Sequence, residues 1–221
     1  MAVSMQAVKA LLFDVFGTCV DWRGSVEREL AQRGLPIDLA VEWRGRYQPQ
    51  LETVRSGARA WTNLDVLHRE ALDGLLAARG LAVEDPDELT RVWHRLDPWP
   101  DTVEGLTRLK RMYVIAPCSN AHIALLVNMA KHAGLPWDAI LGAEIAHAYK
   151  PHPAAYLASV GALGLPPGEV VMVAAHNSDL AAAACGLRTA FVPRPTDDAD
   201  PTADWDIIAA DFVDLASRCG A

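Results

Sequence analysis

The sequence predicts an α/β fold in which a doubly wound parallel sheet carries an inserted block of helices. Short apolar runs, each about as long as a buried strand, alternate with stretches that have helical spacing. One long stretch, residues 22–97, has helical spacing and contains no strand pattern. The chain has 221 residues, enough for one domain with an insertion. We therefore expect residues 1–21 and 98–221 to form the core and residues 22–97 to form a helical cap.

The predicted strands and helices follow one another in a regular order. Strands are expected at residues 8–13, 113–117, 139–142, 169–173 and 189–192, with a last short one at 206–209. Helices are expected within residues 25–34, 38–78, 88–96, 102–110, 121–133, 153–163, 180–185 and 211–217, and the stretch 38–78 breaks at Ser56-Gly57. Glycines such as Gly134 and Gly164 end several of them. Strands that alternate with helices form a parallel sheet covered on both faces.

Composition excludes several classes of protein. Hydrophobic residues make up 51% and charged residues 22% of the chain, which is typical of a folded globular protein. The net charge of −8 argues against nucleic acid as a partner. No apolar run reaches the ~20 residues of a membrane span, and the first eleven residues lack the pattern of a secretory signal. The four cysteines are scattered, so we expect free thiols in a reducing cytoplasm.

Reactive side chains follow the predicted strands. In an open parallel sheet, ligands bind beyond the carboxyl ends of the strands. Asp14 follows the first strand, Ser119 the second, Lys150 the third and Asp179 the fourth. A single aspartate at such a place is often only a turn residue, and a single lysine often faces solvent. Four such groups at neighbouring strand ends predict a catalytic or binding site.

The chemistry available to this set centres on Asp14. A carboxylate can attack carbon and form an ester intermediate, provided that it stays ionised. Lys150 and the backbone N–H groups of the turn at residues 16–18 favour the ionised form. Ser119 and Thr18 can donate hydrogen bonds to the oxygen that does not attack. Asp179 can hold Lys150 in place or orient a water molecule.

These residues resemble the motifs of the haloacid dehalogenase superfamily. The resemblance rests on Asp14-Val15-Phe16-Gly17-Thr18, Ser119-Asn120, Lys150-Pro151 and Asp179, and it covers essentially the whole chain. It is closest to the (S)-2-haloacid dehalogenases, because residues 20–23 (VDWR) and 150–156 (KPHPAAY) are similar to that branch. The resemblance implies a small halogenated carboxylic acid as substrate. Members of the family are often homodimers, and the sequence leaves the oligomeric state open.

The resemblance also implies a two-step mechanism. Asp14 attacks C2 of the substrate, displaces halide with inversion and becomes an ester. Water then attacks the carboxyl carbon of Asp14 and releases a 2-hydroxy acid, with Asp179 positioning that water. Lys150, Tyr156 and Ser119 are expected at the nucleophile and the substrate carboxylate.

Halide binding is assigned to the cap and to Asn120. Arg55 falls 14 residues before Arg69, which resembles the family's Arg-Ser placement, whereas the register counted from Trp43 favours Arg46. Both stay candidates, and a solvated helix arginine is the structural alternative for each. Trp61 and Leu64 are expected pocket walls, or else part of the cap core.

Phe16 separates dehalogenases from the phosphatases of the same superfamily. Those phosphatases have a second aspartate two positions after the nucleophile, where it protonates the leaving alkoxide. Halide leaves without a proton, so Phe16 suits a dehalogenase, although packing under the cap would suit either. Residues 174–179 offer one acid, so neither a metal nor another cofactor is expected. A Mg²⁺-dependent phosphatase and a non-catalytic protein that binds small carboxylates remain the alternatives.

The fourth motif departs from the family pattern. Well-known members have Ser-Ser-Asn-Ala-Trp-Asp, whereas residues 174–179 read AAHNSD. Two hydroxyl groups are missing, and His176 stands in the place of the asparagine. We expect Asn177 to supply the lost amide and His176 to line the site near the water. A hydrogen-bonded structural role is the alternative for His176.

Overall fold

The computed structural model describes residues 5–183 and 185–221, and it has a five-stranded parallel sheet at its centre. The spatial order is β4-β1-β5-β6-β7, so the first strand lies inside the sheet. The strands are β1 (Ala10–Phe13), β4 (Val114–Pro117), β5 (Val170–Ala174), β6 (Arg188–Phe191) and β7 (Ile207–Ile208). This arrangement confirms the predicted fold class.

Strand β1 is buried on both faces. Leu11 and Phe13 point into one apolar cluster, and Ala10 and Leu12 point into the other. The alternation follows from the two-residue period of a strand. All four side chains are fully buried, and each large one contributes ~1.5–3 kcal/mol to folding. A continuous apolar run is therefore the expected sequence for this position.

Helices cover both faces of the sheet. One face carries α6 (Thr102–Leu109), α7 (Ile123–Ala133) and α10 (Phe212–Arg218), and the other carries α8 (Pro153–Ala162) and α9 (Asn177–Ala183). Gly134 ends α7 in the left-handed conformation at φ 67°, as a glycine after a helix does.

The insertion consists of helices and lies between two very short strands. Its helices are α1 (Trp22–Gln32), α2 (Leu39–Gly45), α3 (Tyr47–Arg55), α4 (Leu64–Arg79) and α5 (Pro86–Thr90), followed by a 3-10 turn, Arg91–His94. Strands β2 (Val20–Asp21) and β3 (Asp97–Pro98) pair antiparallel at its two ends. Asp21 and Asn63 cap α1 and α4 by accepting from backbone N–H groups. The predicted boundaries at residues 22 and 97 lie beside the β2–β3 pair, and the division into two domains stays a prediction.

The third predicted strand, 139–142, is wrong. Only Gly142 pairs there, in a single bridge to Ser119. Asp138 occupies the edge of β4 instead, since its carboxylate accepts from the backbone N–H of Ile115 at 3.0 Å. Lys150 is therefore delivered by a loop that contains a 3-10 turn, Ala143–Ile145.

The remaining differences between the predicted and the observed elements concern helix boundaries. The predicted helix 88–96 is α5 plus the 3-10 turn, the stretch 38–78 forms α2, α3 and α4, and α9 begins three residues before its predicted start. Among the described residues, we find no helix with the length and apolar character needed to cross a membrane.

Candidate active site

A cavity of about 320 Å³ lies between the insertion and the carboxyl edge of the sheet. The core contributes Asp14, Phe16, Asn120, Lys150, Pro151, Tyr156, His176, Ser178 and Asp179, and the insertion contributes Arg44, Tyr47, Gln48 and Arg55. This location agrees with the rule that ligands bind where parallel strands end.

Asp14 lies at the floor of the cavity, directly after β1. Its backbone N–H donates to Val173 at 2.9 Å, which places it level with the end of β5. Its Oδ1 accepts from Lys150 Nζ at 2.8 Å, and its Oδ2 accepts from the Thr18 hydroxyl at 2.7 Å. His176 Nδ1 is 3.2 Å from the same Oδ2. Burial acts to raise the pKa of Asp14, but Lys150 and His176 together hold that pKa well below its usual range. The buried carboxylate is therefore ionised.

The turn after β1 aims Thr18 back at Asp14. Gly17 has φ 85°, a left-handed conformation that costs other residues energy. A Cβ atom at Gly17 would also lie 2.2 Å from Oδ2 of Asp197. Thr18 Oγ1 in turn accepts from the backbone N–H of Ala175 at 3.0 Å. The hydroxyl is thus fixed with its proton on Asp14.

Lys150 bridges two carboxylates. Its Nζ lies 2.8 Å from Asp14 Oδ1 and 2.5 Å from Asp179 Oδ2. The second oxygen of Asp179 accepts from the Tyr156 hydroxyl. Burial lowers the pKa of Lys150, but the two carboxylates outweigh it and raise that pKa well above normal. Asp14, Lys150, Asp179 and Tyr156 therefore form one buried hydrogen-bonded chain.

His176 lies between the carboxylates of Asp14 and Asp197. Its Nδ1 faces Asp14, and its Nε2 is 2.8 Å from Oδ1 of Asp197. Burial opposes the charged form, yet hydrogen bonds to both carboxylates raise the pKa of His176 to about 10. Its imidazole is therefore protonated at neutral pH, with one N–H on each partner.

Arg44 is a half-buried cation that the insertion contributes to the cavity. Its guanidinium carbon lies 4.2 Å from the centre of the Tyr47 ring, 5.4 Å from Trp22 and 5.8 Å from Phe16. One terminal nitrogen, NH1, is buried and has no hydrogen-bond partner in the described part of the chain. Because buried donors are normally paired, this N–H group is available to an anion.

Arg55 also reaches the cavity, and its two terminal nitrogens are occupied, whereas its buried Nε has no hydrogen-bond partner among the described residues. Its NH1 donates to the backbone oxygen of Lys150 at 2.8 Å, and its NH2 donates to the Gln48 side chain at 3.0 Å. Glu52 lies 3.0 Å from Nε. Arg55 therefore ties the insertion to the loop that carries Lys150.

Asn120 makes a second link between insertion and core. Its side-chain nitrogen donates to the Tyr47 hydroxyl at 3.0 Å, and its oxygen accepts from the backbone N–H of Lys150 at 2.7 Å. Because it lines the cavity, it lies where the sequence predicted it.

Six predicted residues do not line the cavity, and one of them, Thr18, still donates to Asp14. Arg46 packs beside Gly74 of α4, and Trp61 stacks between His147 and Tyr149 with ring centres 5.3 and 4.8 Å away. Ser119 accepts from the backbone N–H of Ala121 at 3.2 Å. Leu64, the other proposed wall, is buried in the apolar cluster shared by insertion and core.

Asn177 is another residue that does not line the cavity, and it corrects an expectation. Its side chain bonds to Asp198, Thr202 and Trp205 in the loop before β7. Because helix α9 begins at this residue, its side chain turns away from the cavity. It does not replace the missing amide of the fourth motif.

Arg44 and Asp197 were missed by the sequence analysis. Arg44 lies four residues after Ala40 and three before Tyr47, both buried, so helical spacing already placed it on the inward face. Asp197 lies in an irregular polar loop, where no periodic pattern exists to indicate its direction.

One group outside the cavity has the chemistry of a metal site. Ligand atoms of Asp65, His94 and His122 lie within 4.8 Å of one another. Both imidazoles already approach the Asp65 carboxylate, at 2.8 and 3.3 Å. Hydrogen bonding accounts for this cluster without an ion.

Comparison with known proteins identifies the family. The family described as haloacid dehalogenase-like hydrolase matches residues 8–186. The chain belongs to this family. An (S)-2-haloacid dehalogenase of Xanthobacter autotrophicus is 31% identical over 80% of this chain and 71% of its own length. Haloacetate dehalogenase H-2 of Moraxella sp. strain B is 26% identical over 95% of this chain and 97% of its own length.

Solved structures of haloacid dehalogenase-like hydrolases agree. A defluorinating L-2-haloacid dehalogenase is 46% identical with a TM-score of 0.93, and covers 100% of both chains. A second L-2-haloacid dehalogenase is 45% identical with a TM-score of 0.92, over 96% of this chain and 99% of its own. The predicted membership of the haloacid dehalogenase superfamily is confirmed.

Proposed function

We propose that this protein hydrolyses short (S)-2-haloalkanoic acids to 2-hydroxy acids through an ester on Asp14. The observation that carries this proposal is the ionised Asp14 carboxylate, buried among Lys150, Thr18 and His176 at the floor of a small cavity. A carboxylate with few water molecules around it and fixed donors at its back is suited to attack carbon. The names of the similar dehalogenases support the same substrate class.

The first step needs positive charge opposite the nucleophile, because both the substrate carboxylate and the departing halide are anions. Arg44, which lines the cavity and has one unpartnered N–H among the described residues, supplies it. We therefore assign the halide-facing role to Arg44 in place of Arg46, with Asn120 beside it. Arg55, which bonds to the Lys150 backbone, forms part of the cavity wall.

The phosphatase alternative is weaker on geometric grounds. Lys150 Nζ lies between Asp14 and Asp179, at the place where a cation would have to balance these two carboxylates. Phe16 packs against Trp93 and offers no acid for a leaving alkoxide. Both features suit a leaving group that needs neither a proton nor a metal ion.

The test is halide release in the presence of EDTA. Chloroacetate and the two enantiomers of 2-chloropropionate serve as substrates. We expect free chloride from chloroacetate and the (S) enantiomer, an inverted 2-hydroxy acid, and no turnover by Asp14→Asn. Phosphate release from phosphomonoesters that EDTA abolishes, without any chloride release, would favour the phosphatase. Unchanged affinity for small carboxylates in Asp14→Asn, with no turnover by the parent, would favour a binding protein.

A homodimer and a cytoplasmic location stay proposals. The four cysteines, of which only Cys185 is exposed, are all unpaired, and this supports a reducing compartment. Gel filtration at micromolar concentration tests the assembly.

A further inference from the structure

We propose that His176, oriented by Asp197, is the base that takes a proton from the water that hydrolyses the Asp14 ester. This inference rests on the proposed function and deepens it. The expected role of Asp179 then changes from positioning the water to balancing the charge of Lys150.

The geometry has the order nucleophile, imidazole, carboxylate. His176 Nδ1 is 3.2 Å from Asp14 Oδ2, and Nε2 is 2.8 Å from Asp197 Oδ1. A base within hydrogen-bond reach of the reacting carboxyl, held by a second carboxylate, is the arrangement of a catalytic triad. Asp197 is itself fixed, since Thr196 donates to its Oδ2 at 2.9 Å and Gly17 leaves room for it.

Esterification changes the charge around His176. Before the reaction, Asp14 and Asp197 both stabilise the imidazolium, while burial opposes it. The ester of Asp14 is neutral, so one of the two stabilising anions disappears. The pKa of His176 therefore falls once the ester forms, and the imidazole can lose its proton to solvent. It becomes a base only in the intermediate that needs one.

The same charge balance makes Asp179 unsuitable as the base. Its two oxygens accept from Lys150 Nζ and the Tyr156 hydroxyl. When Asp14 is esterified, Asp179 is the remaining carboxylate bonded to Lys150. Protonating Asp179 at that point would leave a buried ammonium without a counter-charge, which is costly.

The atoms and protons balance over the cycle. The Asp14 oxygen bonds to C2 as the carbon–halogen bond breaks with both electrons, and His176 releases one proton. Water then adds to the Asp14 carboxyl carbon while its proton passes to His176. The bond between that carbon and the alkoxide oxygen breaks, and the alkoxide takes the proton from His176. The second water proton, which is left on the Asp14 carboxyl group, then passes to His176, and Asp14 becomes a carboxylate again. The net products are the hydroxy acid, halide and one proton.

The experiment separates the two chemical steps. Enzyme is mixed with excess (S)-2-chloropropionate and quenched with acid over a time course. Chloride is then counted per active site, and intact-protein mass spectrometry detects the ester. The variants are His176→Gln, which still donates but takes no proton, and Asp197→Asn. His132→Gln is the matched control, because this exposed histidine bonds to Asp97 at 2.9 Å, away from the cavity.

We expect His176→Gln to release one chloride per site and then slow at least about 100-fold, with the protein carrying the substrate fragment. Asp197→Asn should accumulate the same ester but slow its hydrolysis less. The rate of ester hydrolysis should rise with pH at a lower midpoint, because Asp197 no longer raises the pKa of His176. Ester hydrolysis at the parental rate in both variants would overturn the proposal, and so would a His176→Gln without the chloride burst.

Asp179→Asn and the parent separate the remaining outcomes. An ester trapped by Asp179→Asn but not by the His176 or Asp197 variants would return the base role to Asp179. A parent that releases no chloride would instead refute the proposed function itself. Thermal melting of each variant confirms that it is folded. If His176→Gln does not fold, Asp197→Asn still tests the inference.

Discussion

Replacing Lys150 by methionine tests the charge arrangement on which the mechanism depends. Methionine has nearly the same length and no charge. The substitution leaves Asp14 and Asp179 facing one another around the place of a nitrogen that lay 2.8 and 2.5 Å from them. Removing one partner of a buried ion pair costs about 3–5 kcal/mol. Two neighbouring buried carboxylates relieve this by binding one proton between them.

The kinetic consequence follows from that proton. Asp14 is then neutral for part of the time and attacks poorly, so we expect kcat to fall about 100- to 1000-fold at pH 7. The pKa of Asp14, which Lys150 lowers in the parent, rises in the variant, and the lost activity should return in part as the pH increases. Chloride release from pH 5 to 10 measures both effects. Lys131→Ala, at an exposed position of α7, is the control. A kcat within tenfold of the parent, with an unchanged pH profile, would show that the ammonium is not needed.

Three further predictions follow from single contacts. Arg44→Met should lower kcat/KM for chloroacetate about 10- to 100-fold, because a charged hydrogen bond is lost, whereas Arg46→Met should change it by less than about twofold. Gly17→Ala should destabilise the fold by about 1–3 kcal/mol in urea denaturation, because φ is 85° and a Cβ would strike Asp197; Gly45→Ala, with open space around it, should not. The raised pKa of His176, about 10 against 6.5 when unfolded, means that its contribution to stability is complete below pH 6.5 and disappears as the pH rises through 10. The unfolding free energies of the parent and His176→Gln should therefore differ most, by up to about 4 kcal/mol, at pH 6 and converge near pH 10.

The sequence predicts residues at strand ends well, because the apolar period sets where each strand stops. Asp14 and Asn120 lie where β1 and β4 end, and their places follow from the register between these strands. Lys150 also reaches the predicted position, although a loop replaces the predicted third strand. The motif spacing constrained its location more firmly than local strand propensity did.

Side-chain direction was predicted less well where regular structure ends. Asn177 and His176 are adjacent, yet α9 begins between them and sends their side chains to different places. The partner of His176, Asp197, comes from a loop without periodicity, so only the folded chain brings the two together. Overlooking Arg44 was a different kind of error. Its helical position indicated that it points inward, but the halide-binding arginine was chosen from motif spacing instead.

The insertion and the core depend on each other for the chemistry. The core supplies the nucleophile and the bonds that keep it ionised, but an anionic substrate would be repelled by Asp14 alone. We propose that the opposing charge comes from Arg44, on the insertion. The hydrogen bonds that hold the insertion over this edge of the sheet include those from Arg55 to the Lys150 backbone and from Asn120 to Tyr47. Both involve groups that also bond to the backbone of Lys150, so the contacts that hold the insertion in place also hold the loop that carries the ammonium.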